Sequence, residues 1–129
     1  MALLSFSNFG NPPSAAAERI RDAVAMLDSR TVDFEYDGEM AADVALDPEL
    51  MQRLYPFCRL SGPANVLVMP DLHAANIAAK LLTQLRGGTV IGPILHGLSK
   101  PVQILQMGAN VSDVVNMAAL AAHEAIGAD

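Results

Sequence analysis

The side chains able to do acid–base, nucleophilic or metal chemistry stand far apart in this sequence. Asp71 follows Pro70, Asp113 follows Ser112, His73, His96 and His123 stand singly, and Cys58 is the one cysteine. A carboxylate at Asp71 reads as the cap of a helix, because its oxygen accepts from the free amides of the first turn. Asp113 lies in the first turn of another helix, where a carboxylate complements the helix dipole without catalysing anything. The histidines have no metal-ligand spacing, so no metal is expected. Cys58 has neither a histidine nor a helix start beside it and reads as inert packing. The glycines match neither G-x-x-x-x-G-K-[ST] nor G-x-G-x-x-G. Met26, Met69 and Met117 read as core.

Four segments nevertheless combine small residues, exposed amides and polar side chains: Ser5 to Gly10, Met69 to His73, Gly92 to Gly97, and Gln106 to Asp113. Each follows an apolar run and precedes a helix or loop. In an open α/β sheet that position is the rim beyond the carboxyl ends of the strands, where ligands bind near helix N-termini. The residues themselves indicate an anion or nucleotide-like site and no specific reaction.

The elements that would position this rim follow from composition and periodicity. The chain has 129 residues, 52% hydrophobic and 17% charged, which is room for one domain burying roughly two thirds of its unfolded surface. That composition excludes a disordered tail, and no apolar run reaches the roughly 20 residues of a spanning helix. A net charge of −6 gives no footprint for nucleic acid. A single cysteine and no recognisable signal segment make the cytoplasm the expected compartment. The abrupt start on a core strand suggests a piece of a longer chain.

Ala2–Ser7 reads as a buried strand, and a helix opens at Pro13 or Ser14 and runs to about Arg30. Thr31–Tyr36 alternates like an edge strand, with Asp37–Gly38 as a turn. Short helices follow at Glu39–Leu46 and after Asp47, whose Pro48 suits a first helical position. Val66–Met69 reads as a central parallel strand buried on both faces. Asp71 caps a helix to Arg86 that turns Leu72, Ile77, Leu81 and Leu85 to the core and ends at Gly87–Gly88. Thr89–Ile91 and Val102–Leu105 read as strands, and Ser112 as the cap of a last helix with Val115, Leu120 and Ile126 on its apolar face. Strand and helix alternate, which predicts a three-layer α/β/α sandwich with a mostly parallel sheet.

Taken in order, Leu3 to Gly10, Asp37 to Leu46, Gly62 to Asp71, Ile91 to Pro101 and Asp113 to Met117 resemble the phosphotransacetylase (phosphate acetyl/butyryltransferase) family. The resemblance covers essentially all of residues 1–129 and corresponds to the C-terminal half of that domain, whose fold is like that of isocitrate and isopropylmalate dehydrogenases. Asp37-Gly-Glu-Met40, Ala42 to Leu46, Tyr55-Pro-Phe57 and Gly62-Pro-Ala-Asn65 are most similar to the phosphotransacetylase-like tail of bacterial NADP-dependent malic enzymes. Active transferases of the family carry a Ser-Arg-Gly triplet before the last helix and a following Asp as base for the CoA thiol. Here the triplet reads Gln106-Met107-Gly108, and the Asp stands at Asp113. Methionine cannot supply the cation and paired donors that a phosphate dianion needs.

The resemblance therefore implies a degenerate transferase site with no catalytic residue of its own. Ser7, Asn8, Gln106, Met107, Gly108 and Asp113 would line the former CoA and acyl cleft, with Asn76 a lesser candidate. It implies a regulatory and oligomerisation domain that senses acetyl-CoA. NADP, a divalent metal and malate would bind an N-terminal region of the same chain, which would convert malate to pyruvate and CO2. Small residues such as Ala118, Ala121 and Ala122 would allow the close helix approach of a homodimer. A divergent acyltransferase between CoA and phosphate, or an assembly module without ligand, are the alternatives.

Overall fold

The computed structural model of the protein describes residues 1–85 and 88–127. They fall into two compact units, one from Met1 to Lys80 and the other from Leu81 on, and each is described by itself.

The first unit is built on a three-stranded parallel sheet. Its strands are β1 (Ala2–Leu4), β2 (Asp37–Met40) and β3 (Leu67–Val68), in the order β2-β1-β3. Side chains alternate across a strand, so Ala2 and Leu4 face one side and Leu3 the other. On the Leu3 side lies α1 (Ala15–Asp28), whose Ile20 and Val24 close a cluster completed by Leu27 and Tyr36. Ser14 starts this helix by accepting from the Ala17 amide at 3.1 Å. On the other side lie α2 (Ala42–Leu46) and α3 (Pro48–Leu54), which bury Val44, Ala45 and Met51 against Ala2, Leu4, Met40 and Leu60. Asp47 caps α3 by accepting from the amides of Glu49 and Leu50, both at 3.0 Å, with Pro48 at the first helical position. Helix, sheet and helix thus form the expected α/β/α layers with a parallel sheet.

Several elements differ from the sequence expectation. The central strand is β1; among the described residues β3 pairs with β1 alone, and its Val68 is exposed where burial on both faces was expected. No strand forms over Thr31–Tyr36. The strand is the next four residues, so Asp37 and Gly38 belong to it rather than to a turn. The expected helix from Glu39 shortens to α2, because Glu39 and Met40 are drawn into that strand. Alternation misled here because the buried positions of β2 include two acids, and acids are rarely buried without partners.

The helix expected after Asp71 is α4 (Leu72–Leu85), and Asp71 accepts from the Ala74 amide at 2.8 Å as a cap should. Its expected end at Arg86 and Gly87 lies outside the described residues. Leu72, Ile77, Leu81 and Leu85 are exposed rather than turned to a core. The strands that would give this helix a sheet to cover, Thr89–Ile91 and Val102–Leu105, make no ladder among the described residues. Short apolar runs have no strand stability without a paired edge. The second unit's helix is α5 (Val111–Ile126). Its cap is Asn110 rather than Ser112, and Val115 and Ile126 are exposed while Met117 is buried.

Candidate functional site

Beyond the carboxyl end of β1 lies a buried polar constellation of the first unit. Opposite Leu3 and Leu4, β2 places Gly38 and Met40 in register, so Glu39 is an extra residue, a bulge. A bulge re-aims the side chain it carries. Glu39 is fully buried and its Oε1 accepts from Ser7 Oγ at 2.7 Å, the Gly10 amide at 2.9 Å and Arg21 Nη1 at 3.1 Å. The other oxygen, Oε2, is buried with no hydrogen-bond partner among the described residues. The Glu39 carbonyl accepts from the Phe9 amide at 2.8 Å, and Asn8 Oδ1 accepts from the Ala41 amide at 2.7 Å. The Ser7–Gly10 loop is thereby tied to β2 by side chain and backbone together.

Gly10 turns the loop with φ +94°, and Phe9 takes a positive φ of 48°. A non-glycine residue accepts that conformation only when its surroundings fix it. The Phe9 ring stacks edge-on to Phe57 at 5.0 Å and tilted to Tyr55 at 5.2 Å. Such pairs add stabilisation beyond the area they bury.

A second charged group braces the start of β2. Asp37 accepts from the Arg59 amide at 2.7 Å and from Arg59 Nε at 3.3 Å. Arg59 Nη1 donates to Asp28 Oδ1 at 2.6 Å, and the Tyr36 hydroxyl donates to the same oxygen at 2.8 Å. The guanidinium also lies 5.1 Å from the centre of the Tyr36 ring. Arg59 and then Tyr36 hold the Asp28 carboxyl below the ordinary carboxylate range. Burial, aided by the nearby Asp37 charge, pushes the Cys58 thiol up, which keeps it in the unreactive form.

A cavity of about 330 Å³ opens at the other end of the strands, lined among others by Met1, Phe34, Glu35, Ser61 and Asn65. Glu35 Oε2 accepts there from both the amide and the hydroxyl of Ser61 at 2.9 Å. These residues precede the strands, whereas ligands of open α/β sheets bind beyond the carboxyl ends.

Of the residues expected to line a cleft, Ser7 and Asn8 lie together in the first unit. Both turn inward: Ser7 is fully buried on Glu39, and Asn8 caps Ala41. Gln106, Met107, Gly108 and Asp113 lie together in the second unit. Gln106 to Ala109 form a turn closed by the Ala109 amide on the Gln106 carbonyl at 2.9 Å, and Met107 at its tip is fully exposed. Asp113 N donates to Asn110 Oδ1 at 3.0 Å while Asp113 Oδ2 accepts from the Asn110 amide at 2.9 Å, a capping box. In the same unit Gln103 joins the Leu95 amide, at 3.2 Å, to Glu124 of α5, at 2.8 Å. Asn76 lies exposed on α4, as do His73 on that helix and His123 on α5. No group of three His, Cys, Asp or Glu side chains suited to a metal occurs among the described residues.

Reading the sequence alone missed Glu39, Arg21, Asp37 and Arg59. The one available signal was Asp37-Gly-Glu39, two acids around a glycine between apolar stretches.

Residues 1–122 match the profile of the family described as Phosphate acetyl/butaryl transferase. An NADP-dependent malic enzyme of Rhizobium meliloti (strain 1021) is 60% identical over 125 residues, which are 97% of this chain and 16% of that protein. A phosphate acetyltransferase of Paracoccus denitrificans is 43% identical over 122 residues, 95% of this chain and 38% of that protein. The structure of the EutD phosphotransacetylase from Staphylococcus aureus superposes with a TM-score of 0.85 at 34% identity, covering 99% of this chain and 39% of that one. The chain therefore spans about a sixth of the malic enzyme and about two fifths of the transferases it matches.

Proposed function

The chain belongs to the phosphate acetyl/butyryl transferase family, and we propose that it serves as the regulatory and oligomerisation domain of a cytoplasmic NADP-dependent malic enzyme. Residues 1–129 would be the C-terminal half of its phosphotransacetylase-like domain. The observation that carries the reading is the 60% identity to a malic enzyme across nearly the whole chain. The Gln106-Met107-Gly108 turn supports it. An exposed methionine at its tip offers no fixed cation, and losing such a clamp removes several kcal/mol of transition-state stabilisation from phosphate-dependent acyl transfer. The domain binds acetyl-CoA as an effector and performs no acyl transfer. NADP, metal and malate are held by a preceding region of the same chain, which carries out oxidative decarboxylation to pyruvate and CO2. The exposed Leu81, Leu82 and Leu85 of α4 supply the apolar face on which two copies assemble.

The transferase reading is favoured by one observation: Asp113 keeps its place in the first turn of α5. Both readings are tested on the full-length protein. Acetyl-CoA at a hundredfold excess over its dissociation constant is expected to stabilise it by about 2.7 kcal/mol and to alter the rate of malate oxidation. Arsenolysis of acetyl-CoA is expected to stay at background. Arsenolysis above background that Asp113→Asn abolishes would establish the transferase instead, and an unchanged melting temperature would leave an assembly module.

A further inference from the structure

We propose that Glu39 is a positioning residue that sets the affinity for acyl-CoA by fixing the Ser7–Gly10 loop, at the carboxyl end of β1, through Ser7, Gly10 and Arg21. The inference rests on the reading of the domain as one that binds acyl-CoA.

Three donors converge on one oxygen of Glu39, from a hydroxyl, a backbone amide and a guanidinium that come from the loop and from α1. The bulge at Glu39 is what turns the side chain toward them. The Arg21 side chain is about a third exposed (34%). A Cβ on Gly10 would stand 3.5 Å from Arg21 Nη1, so the guanidinium lies directly against the loop. Glu39 thus couples the loop's backbone to a cation at its edge.

The fully buried Oε2 argues that this arrangement is more than a fold-stabilising hub. A carboxylate kept for stability alone would place both oxygens on donors, because a buried acceptor without a partner is unfavourable. Unfavourable features of this kind persist where they hold a functional segment in one conformation. A ligand that needs the ordered loop then binds with an affinity reduced by whatever fraction of molecules has it disordered.

The experiment compares Glu39→Gln, Ser7→Ala and Val24→Ala in the full-length protein. Amide hydrogen exchange over the loop, melting temperature and the acetyl-CoA dissociation constant are measured for each. Glu39→Gln keeps an acceptor of the same reach but removes the charge that holds Arg21. Ser7→Ala deletes a single donor and serves if the first variant does not fold. Val24→Ala loosens the α1 core on the same sheet and controls for lost stability. The expected result is exchange at the Gly10 amide about tenfold faster, and acetyl-CoA binding about fivefold weaker, in the Glu39 and Ser7 variants only. Wild-type affinity in both, or a loss in all three that follows melting temperature, overturns the positioning role and leaves the site reading intact. A wild-type protein that binds no acetyl-CoA overturns both.

Discussion

Gly38 and Leu3 are packed so closely in the β1–β2 ladder that a Cβ on Gly38 would stand 2.6 Å from the Leu3 carbonyl oxygen. Gly38 also has a φ of +153°, which side-chain-bearing residues rarely adopt. Clash and strain act together at a position packed directly on Leu3 of β1. Gly38→Ala is therefore expected to destabilise the protein by about 3 kcal/mol or more. A urea midpoint within about 0.5 kcal/mol of wild type, taken through the linear slope, would contradict the close approach.

The same strand marks where the sequence stopped being legible. The caps at Ser14, Asp47 and Asp71 could be read because an N-cap depends on a residue and its next three neighbours. The core of α1 could be read for a similar reason, since Ile20 and Val24 follow helical period. Asp37 and Glu39 could not, because their burial depends on Arg59 and Arg21, 22 and 18 residues away. Alternation therefore places the strand at Thr31–Tyr36, immediately before the residues that form it. Ser7 and Asn8 stand out in the sequence by their place after β1, but their inward turn depends on Glu39 and Ala41 beyond α1.

Met51 is fully buried between α3 and the sheet, in contact with the cluster of Leu4, Met40 and Leu60. Truncating it leaves a cavity that close-packed strands cannot collapse to fill. Met51→Ala should cost about 3 kcal/mol in chemical denaturation, and Met51→Leu less than about 1.5 kcal/mol. Equal effects would mean that this side chain is not packed as described.

Asp113 separates capping from catalysis. In the capping box its carboxylate accepts from the Asn110 amide at 2.9 Å, which an asparagine side-chain oxygen can also do. Asp113→Ala should lower stability by about 1 kcal/mol, whereas Asp113→Asn should lower it by a few tenths. If acetyl-CoA binding survives both substitutions, the residue acts as a cap. Loss of binding in Asp113→Asn at near wild-type stability would give the carboxylate charge a direct role at the ligand.

The Asp28–Arg59–Tyr36 group makes stability depend on acid pH. The hydrogen bond from Arg59, then that from Tyr36, lowers the Asp28 pKa in the folded state. The unfolded chain therefore binds this proton more readily than the folded one. The contribution is fully present above the unfolded carboxylate pKa and is lost as pH falls through the lowered folded value. Glu35, whose pKa is lowered first by the Ser61 amide and then by its hydroxyl, has the same sign. Asp28→Asn removes one titrating group while leaving Glu35 in place. Its melting temperature should fall below wild type at neutral pH, with the gap closing as the pH passes below the carboxylate range. A gap that stays constant down to strong acid would show that Asp28 is not held by Arg59 in solution.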